Sequence, residues 1–259
     1  MMSDLLSELQ GRVQLITLNR APKHNAFDNT LLADLQRLLD EAEANADVRV
    51  IVLKANGKHF SAGADLAWMQ RMAAFSEEEN LADANVLARV MFTLHHSTKP
   101  TIAMVNGSAF GGGAGLVAAC DIGIAAHTAR FCFSEVKLGL IPAVISPYVV
   151  KAIGARAATA LFVSADLFDA KRAHELQLVQ YCVPDDELLS FTVNYAQQIA
   201  QLAPLAVKGS KALVQEVAGM PIDEALLHTT AALIAKKRVS AEGQQGLQAF
   251  LNKVTPDWG

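Results

Sequence analysis

The sequence of 259 residues predicts an α/β fold that ends in an all-helical region. Short β-branched runs alternate with helical patterns along most of the chain, which is typical of α/β proteins. From about Asp186 to Val254 the helical patterns continue without a convincing strand. We therefore predict an α/β body over residues 1–195 and a helical region over residues 196–259. That region would cover a site and contact other subunits, or else pack on its own body.

The first predicted elements are two strands with a helix between them. Val13–Leu18 and Val50–Leu53 are short β-branched runs that are bounded by turn residues. Asp28 or Asn29 can cap the intervening helix, whose apolar residues recur at helical spacing. This apolar stripe consists of Leu31, Leu32, Leu35, Leu38, Leu39 and Ala42.

Further helices and strands follow in alternation. Helices are predicted over Leu66–Met72 and Glu77–His95, and three glutamates begin the second, where they complement the helix dipole. The apolar stripe of this second helix includes Leu81, Leu87, Val90, Met91 and Leu94. Strands are predicted over Thr101–Val105, Ile122–Ala125, Phe131–Phe133 and Val179–Val183, with a helix that begins at Asp169 before the last of them.

Composition and charge exclude several functional classes. With 22 basic and 26 acidic residues the net charge is −4, which argues against electrostatic binding of nucleic acid. The apolar stretches Phe110–Ala126 and Leu138–Ile153 are interrupted and fall short of the about 20 residues that span a membrane. Met1–Gln10 lacks the features of a signal peptide. We therefore expect a soluble, cytoplasmic protein.

The segment Asn106–Leu116 contains three consecutive glycines, Gly111–Gly113. Backbone without Cβ atoms allows close approach, and free N–H groups at a helix start attract negative charge. One interpretation is a dinucleotide-binding loop built on Gly113 and Gly115, although the preceding strand ends too early for that motif. A second is an oxyanion hole, in which backbone N–H groups meet charge that develops during a reaction. The third is simple close packing of a helix on a strand.

Two other segments carry candidate chemistry. In Phe60–Leu66, small residues precede a helix that Asp65 can cap, which exposes backbone N–H groups; a plain capped helix is the alternative. In Phe133–Pro142, Glu135 lies in a largely apolar run, where its pKa would be raised as general acid–base catalysis requires. The alternative is a Glu135 side chain that pairs with Lys137 or is exposed to solvent.

In this order and spacing, the three segments resemble the crotonase (enoyl-CoA hydratase/isomerase) superfamily. Matching stretches also occur at Asn19–Ala26, at Lys99–Ala103, at Cys120-Asp121 and around Phe250 and Lys253, so the resemblance covers nearly the whole chain. It implies a spiral of ββα units with a helical C-terminal region, assembled as a homotrimer or a dimer of trimers. It also implies an acyl-CoA substrate and no metal or other cofactor.

The resemblance implies roles for individual residues. The backbone N–H groups of Ala62 and Gly112 would hold the thioester oxygen, and Glu135 would be the acid–base residue. The residues expected to bind the CoA substrate are Lys23, Ala26, Ala62, Ala64, Asp65, Leu66, Gly111, Gly112 and Pro142.

One position departs from the pattern of the family. Typical hydratases have a second glutamate three residues after the oxyanion glycine, where this sequence has Gly115. Three activities therefore remain open: hydration with Glu135 as the one carboxylate, isomerisation of an enoyl-CoA with Glu135 as a single base, or none in a catalytically inert crotonase-like protein.

A closer likeness favours hydration. Phe60–Met69, Ala109–Leu116 and Phe131–Val150 resemble the methylglutaconyl-CoA hydratases of bacterial leucine breakdown and the related isohexenylglutaconyl-CoA hydratases of acyclic terpene breakdown. This resemblance implies a branched enoyl-CoA whose acyl chain carries a second carboxylate. A water or that carboxylate would then replace the missing glutamate.

Overall fold

The computed structural model describes residues 3–259, in which nine strands form two sheets and ten α-helices accompany them. The predicted α/β class is confirmed. The strands are β1 (Leu5–Gln10), β2 (Val13–Leu18), β3 (Val50–Ala55), β4 (Thr101–Val105), β5 (Ser108–Phe110), β6 (Ile122–Ala126), β7 (Arg130–Cys132), β8 (Phe168–Asp169) and β9 (Tyr181–Val183). The helices are α1 (Asn29–Ala44), α2 (Leu66–Met72), α3 (Glu77–His96), α4 (Gly112–Ala119), α5 (Ser146–Ser164), α6 (Ala170–Glu175), α7 (Leu188–Ala200), α8 (Pro204–Val217), α9 (Glu224–Arg238) and α10 (Ala241–Leu251).

The larger sheet has six strands in the order β1-β2-β3-β4-β6-β9. Strands β2, β3, β4, β6 and β9 are parallel to their neighbours, and only β1 pairs antiparallel, as a hairpin with β2. Every residue of β2 and β4 is buried, as expected for parallel strands that are covered on both faces. This continuous burial explains why both strands are visible in the sequence as mostly apolar runs.

Helix α1 packs against α3 and follows its predicted pattern closely. The Asp28 side chain caps α1 by accepting a hydrogen bond from Leu31 N at 3.0 Å, and the six predicted stripe residues are its buried residues. In α3 the prediction is wrong at Leu81, whose side chain is 63% exposed. A capping box between Ser76 and Glu79 fixes the start of α3, and only Val90, Met91 and Leu94 near its end are buried.

Three strands were not predicted, and each lacks a periodic apolar signal. In β1 most residues are exposed, so its sequence shows no apolar face. Strands β5 and β8 have three and two residues, too few to show alternation. With β7 they form the smaller sheet, in the order β5-β7-β8, and this sheet carries the glycine-rich segment.

Beyond Val183 the described chain contains helices but no strand. The predicted boundary after residue 195 falls inside α7, whose buried residues Leu188, Ala196 and Ala200 join the core on one face of the larger sheet. Helix α7 is therefore packed with the body. By contrast, α8 and α9 contain no buried residue. Within residues 3–259 no helix is both long and apolar enough to cross a membrane.

Candidate active site

Two segments that are distant in sequence, one around Ser61 and one over Ser108–Phe110, are joined by backbone hydrogen bonds. Ser61 N donates a hydrogen bond to Ser108 O at 3.0 Å, and Phe110 N donates to Ser61 O at the same distance. This bridge leaves no room for a side chain at Gly113, where a Cβ would lie 2.8 Å from Ser61 O. The segment of residues 60–66 and the start of α4 are thereby held in direct backbone contact.

The structure corrects one predicted N–H donor. The N–H of Ala62 donates to His24 O at 3.0 Å, so it is not free to bind a substrate oxygen. Two residues further on, Ala64 forms a parallel bridge with Phe27, in which Phe27 N donates to Gly63 O and Asp65 N donates to Phe27 O. These bonds use the backbone groups of Gly63 and Asp65 on either side of Ala64. The N–H of Ala64 itself has no acceptor within the described residues. Ala64 therefore has a free N–H group beside this bridge.

The second predicted donor, Gly112, lies where a free N–H is expected. It is the first residue of α4, and the N–H groups of a first helical turn have no partner within the helix. A Cβ at Gly63 would lie 3.9 Å from Gly112 N, which places the donor beside the segment that contains Ala64. Two backbone N–H groups on adjoining segments can stabilise one oxygen that gains negative charge.

Glu135 lies beside this pair of donors. A Cβ at Gly111 would be 3.3 Å from Glu135 Oε1, so the absence of a side chain at Gly111 lets the carboxylate approach the start of α4. Glu135 Oε2 is buried and has no hydrogen-bond partner among residues 3–259. Burial is the main reason that the pKa of Glu135 lies above its ordinary value of 4.5. The half-buried carboxylate forms no ion pair with Lys137, so that alternative is wrong.

Gly115 is buried in α4 and packed against apolar side chains. A Cβ at this position would lie 2.2 Å from Ile145 Cγ2 and 3.1 Å from Met91 Cε. The volume that a second glutamate would need is therefore filled. The same packing excludes the dinucleotide interpretation, because Gly113 and Gly115 meet protein atoms and offer no surface to a phosphate.

The substrate-binding candidates Lys23 and Asp65 form one network. Lys23 Nζ lies 2.9 Å from Asp65 Oδ2, and Arg20 approaches the same oxygen at 3.8 Å. The other oxygen of Asp65 caps α2 by accepting hydrogen bonds from Ala67 N and Trp68 N. The hydrogen bond from Lys23 is the main reason that the pKa of Asp65 is lowered. The network fixes the start of α2 next to the free N–H of Ala64.

The other substrate-binding candidates lie at varying distances from this network. Ala26 is buried next to Phe27, whereas Leu66, the first residue of α2, is 78% exposed. Pro142 is buried in the turn before α5, where its carbonyl accepts a hydrogen bond from Ser146 N. The structure thus brings together Ala64, Asp65 and Lys23, but no hydrogen bond connects Pro142 to them.

Sequence reasoning missed three residues that shape the site. Arg20 joins Asp4, Asp28 and Asp65 through its guanidinium group. Asn25 is fully buried at a positive φ of 53°, and its side chain donates to Asn56 O and His59 O. The third, Ile145, fills the space at Gly115. Of the three, only Asn25 gave a local signal, because Asn tolerates the left-handed conformation.

Replacing Asp65 tests the role of this network. Asp65→Ala should lower the free energy of unfolding by about 2 kcal/mol, because it removes a helix cap and a charge-assisted hydrogen bond. Since the folded-state pKa lies below 3.8, this contribution is present above that pH and is lost as the pH falls through the folded-state pKa. Urea denaturation at several pH values measures both effects. Asp65→Asn retains the capping oxygen and should lose less; an equal loss in both variants would contradict the capping role.

The described residues contain no group of three His, Cys, Asp or Glu side chains that could hold a metal ion. The groups that the site offers to a substrate include two backbone N–H groups, one desolvated carboxylate and the charged network at the start of α2.

Comparison with known proteins shows which family the chain resembles. The family model described as enoyl-CoA hydratase/isomerase matches residues 8–259. A crystal structure of an enoyl-CoA hydratase/isomerase (crotonase) from Legionella pneumophila is 66% identical, with a TM-score of 0.98 and full coverage of both chains. An enoyl-CoA hydratase structure from Shewanella pealeana is 44% identical, with a TM-score of 0.94 over 99% of this chain and 96% of that one.

A relative from Escherichia coli, the 2,3-dehydroadipyl-CoA hydratase, is 32% identical over 259 residues, which cover 99% of each chain. These matches extend over the body, the glycine-rich segment and the helical region alike. The chain is therefore an enzyme of the enoyl-CoA hydratase/isomerase, or crotonase, family.

Proposed function

We propose that the protein hydrates a branched enoyl-CoA whose acyl chain carries a second carboxylate, such as methylglutaconyl-CoA. The observation that carries the proposal is the environment of Glu135. This is a half-buried carboxylate with a raised pKa and one buried, unpartnered oxygen, beside the first turn of α4. No second carboxylate fits at Gly115. The site thus offers one base and two N–H donors to a thioester.

The proposed reaction adds the elements of water across the α,β double bond. The N–H groups of Ala64 and Gly112 hold the thioester oxygen and stabilise the negative charge that it gains as water attacks the β carbon. Ionised Glu135 accepts a proton from that water while the oxygen forms its bond to carbon. The α carbon of the resulting enolate then takes a proton from the carboxylic acid, which restores the base.

A second carboxylate on the substrate would complement this single base. In a two-carboxylate site, one group orients water while the other exchanges protons with the substrate. Here Gly115 leaves that first task to a bound water or to the substrate itself. The name of the Escherichia coli relative, 2,3-dehydroadipyl-CoA hydratase, denotes an enoyl-CoA with a distal carboxylate, which supports this substrate class. A distal carboxylate would need a basic partner; Lys137, Arg71 and His24 lie near the motifs in sequence, and each is exposed.

We also propose that the chain forms a homo-oligomer, as a trimer or a dimer of trimers. Its helical region exposes large apolar side chains, among them Ile222 at 96%, Phe250 at 80% and Val239 at 77%. Surfaces of this kind commonly mark protein–protein contacts. Light scattering after size-exclusion chromatography should give a mass of three or six chains, and a monomer at micromolar concentration would contradict the proposal.

A substrate panel tests the activity. Absorbance of the conjugated enoyl thioester should fall when the enzyme meets methylglutaconyl-CoA, because hydration removes the double bond. If a 3-enoyl-CoA instead gains this absorbance and no 2-enoyl-CoA loses it, the protein is an isomerase. If no thioester reacts while CoA still binds, the protein is an inert crotonase-like chain. Either outcome would overturn the proposal.

The raised pKa of Glu135 predicts a trade-off between stability and activity. Glu135→Gln should raise the free energy of unfolding at neutral pH, because the folded state no longer contains a buried, unpaired charge. The pKa of Glu135 is above 4.5 in the folded state. Ionisation of Glu135 therefore lowers the free energy of unfolding as the pH rises from 4.5 through the folded-state pKa. The gain from the substitution should therefore shrink as the pH falls. Urea denaturation between acidic and neutral pH measures this gain in the free energy of unfolding. A variant less stable than the wild type at neutral pH would contradict the prediction.

A further inference from the structure

A cleft lies between helix α8 and the body, and we name it the α8 cleft. Its volume is about 470 Å³, within the range of small-molecule pockets. Val117 and Ala118 contribute from the second half of α4, Tyr148 and Lys151 from α5, and Lys211 from α8. Neither Gly112 nor Glu135 lines it, so the cleft is distinct from the proposed active site.

The charges in the cleft are unevenly paired. Lys211 Nζ is 2.7 Å from Asp121 Oδ2, an oxygen that also accepts hydrogen bonds from the backbone and hydroxyl groups of Thr101. This oxygen of Asp121 is therefore engaged by both Lys211 and Thr101. Lys151 Nζ lies 3.1 Å from His95 Nε2 and has no carboxylate partner among residues 3–259. With two lysines and one aspartate, the cleft retains an excess of one positive charge.

The partner of Lys151 does not supply the missing negative charge. Burial is the main cause that lowers the pKa of His95 to about 4, and the nearby Lys151 adds to it. At neutral pH His95 is therefore a neutral ring, which can accept a hydrogen bond from Lys151. Its ring also packs edge-on against Tyr148, with centroids 5.4 Å apart, and this contact holds it at the cleft wall.

The rest of the cleft is mostly apolar. Val117 and Ala118 are buried, and Leu178 and Val214 add aliphatic surface. A ligand that fits this environment would place an apolar body on these residues and one negative group near Lys151. Because Lys151 is on α5 and Lys211 is on α8, such a ligand would also bridge the helical region to the body.

We propose that the α8 cleft is a second binding site, for a small organic carboxylate with an apolar body. Lys151 supplies the charge that recognises the carboxylate, and the aliphatic wall receives the body. Charged hydrogen bonds of this kind are stronger than neutral ones, so the carboxylate group should dominate the affinity. The occupied cleft should stabilise the packing of α8 on the body.

Calorimetric titration with 4-phenylbutyrate tests the proposal, with the neutral 4-phenylbutyramide as the ligand control. Lys151→Gln should weaken binding of the acid by about tenfold or more. The matched variant Lys171→Gln, which replaces an exposed lysine of α6 outside the cleft, should leave it unchanged. Lys151→Arg retains the charge and should largely retain binding, which separates charge recognition from a folding defect.

Saturation with CoA tests whether 4-phenylbutyrate binds in the α8 cleft or in the proposed active site. Binding of 4-phenylbutyrate should persist in the presence of excess CoA and in Glu135→Gln, because the α8 cleft and the proposed active site share none of the residues invoked. The proposal is overturned if CoA displaces the probe, if the acid and the amide bind equally, if both lysine variants lose binding to the same extent, or if the wild type does not bind the acid.

Discussion

Replacing Glu135 with Gln should lower kcat for hydration of methylglutaconyl-CoA by about 10³-fold, the scale expected for loss of a general base. Glutamine fills nearly the same volume but cannot accept a proton from water. Position 115 supplies no carboxylate that could substitute for it, because Ile145 and Met91 occupy the space there. The KM for the thioester should change little, since both backbone N–H donors remain. Stopped-flow absorbance of the enoyl thioester measures the effect.

The matched control is Glu216→Gln, which replaces an exposed glutamate on α8. It should retain the kcat of the wild type. Near-full activity of Glu135→Gln would show that another group abstracts the proton and would refute the assignment of Glu135. A parallel loss in Glu216→Gln would point to a general effect of lost negative charge.

Introducing the absent glutamate by Gly115→Glu should destabilise the protein by about 3 kcal/mol or more, because overpacking and burial of a charge both act against the folded state. A Cβ at this position lies 2.2 Å from Ile145 Cγ2, a distance that real Cβ atoms do not tolerate. Either Ile145 or α4 must move. Urea denaturation measures the loss, and Gly115→Ala should already show part of it.

A second substitution tests whether Ile145 is the obstacle. The double variant Gly115→Glu with Ile145→Ala should recover part of the stability lost by Gly115→Glu, since the shorter side chain vacates the contested volume. Ile145→Ala alone is the control and should itself be destabilising, as a cavity in a packed core is. If the double variant loses the full sum of the two single effects, then Ile145 does not fill the space in the way described.

Helix α1 could be predicted from the sequence almost to the residue, whereas the 19-residue helix α5 was not predicted. Helix α1 has a strong cap at Asp28 and six apolar residues at helical spacing, and all six are buried. The buried strands β2 and β4 were equally clear. These elements are specified by local pattern, so a single sequence carries the information that they need.

The donors of the site were harder to predict, because they depend on contacts between distant residues. Ala62 and Ala64 are both small residues before α2, and nothing local distinguishes them. The difference is that His24, 38 residues earlier, supplies the carbonyl that occupies the N–H of Ala62. In the same way, the sequence shows only that Gly115 replaces a glutamate. The structure adds that Ile145, 30 residues later, fills the space that a side chain at this position would need. The position of a residue within a sequence motif does not predict these long-range contacts.

The most direct test of a single-carboxylate hydratase is the ratio of kcat/KM for methylglutaconyl-CoA to that for crotonyl-CoA, measured with the wild-type enzyme. Crotonyl-CoA has no carboxylate on its acyl chain, so with Gly115 in place of a glutamate only a bound water is left to assist Glu135. We expect methylglutaconyl-CoA to be preferred by about 10²-fold or more, the low end of what one acid–base group contributes. Equal values for the two substrates, or a preference for crotonyl-CoA, would contradict the account.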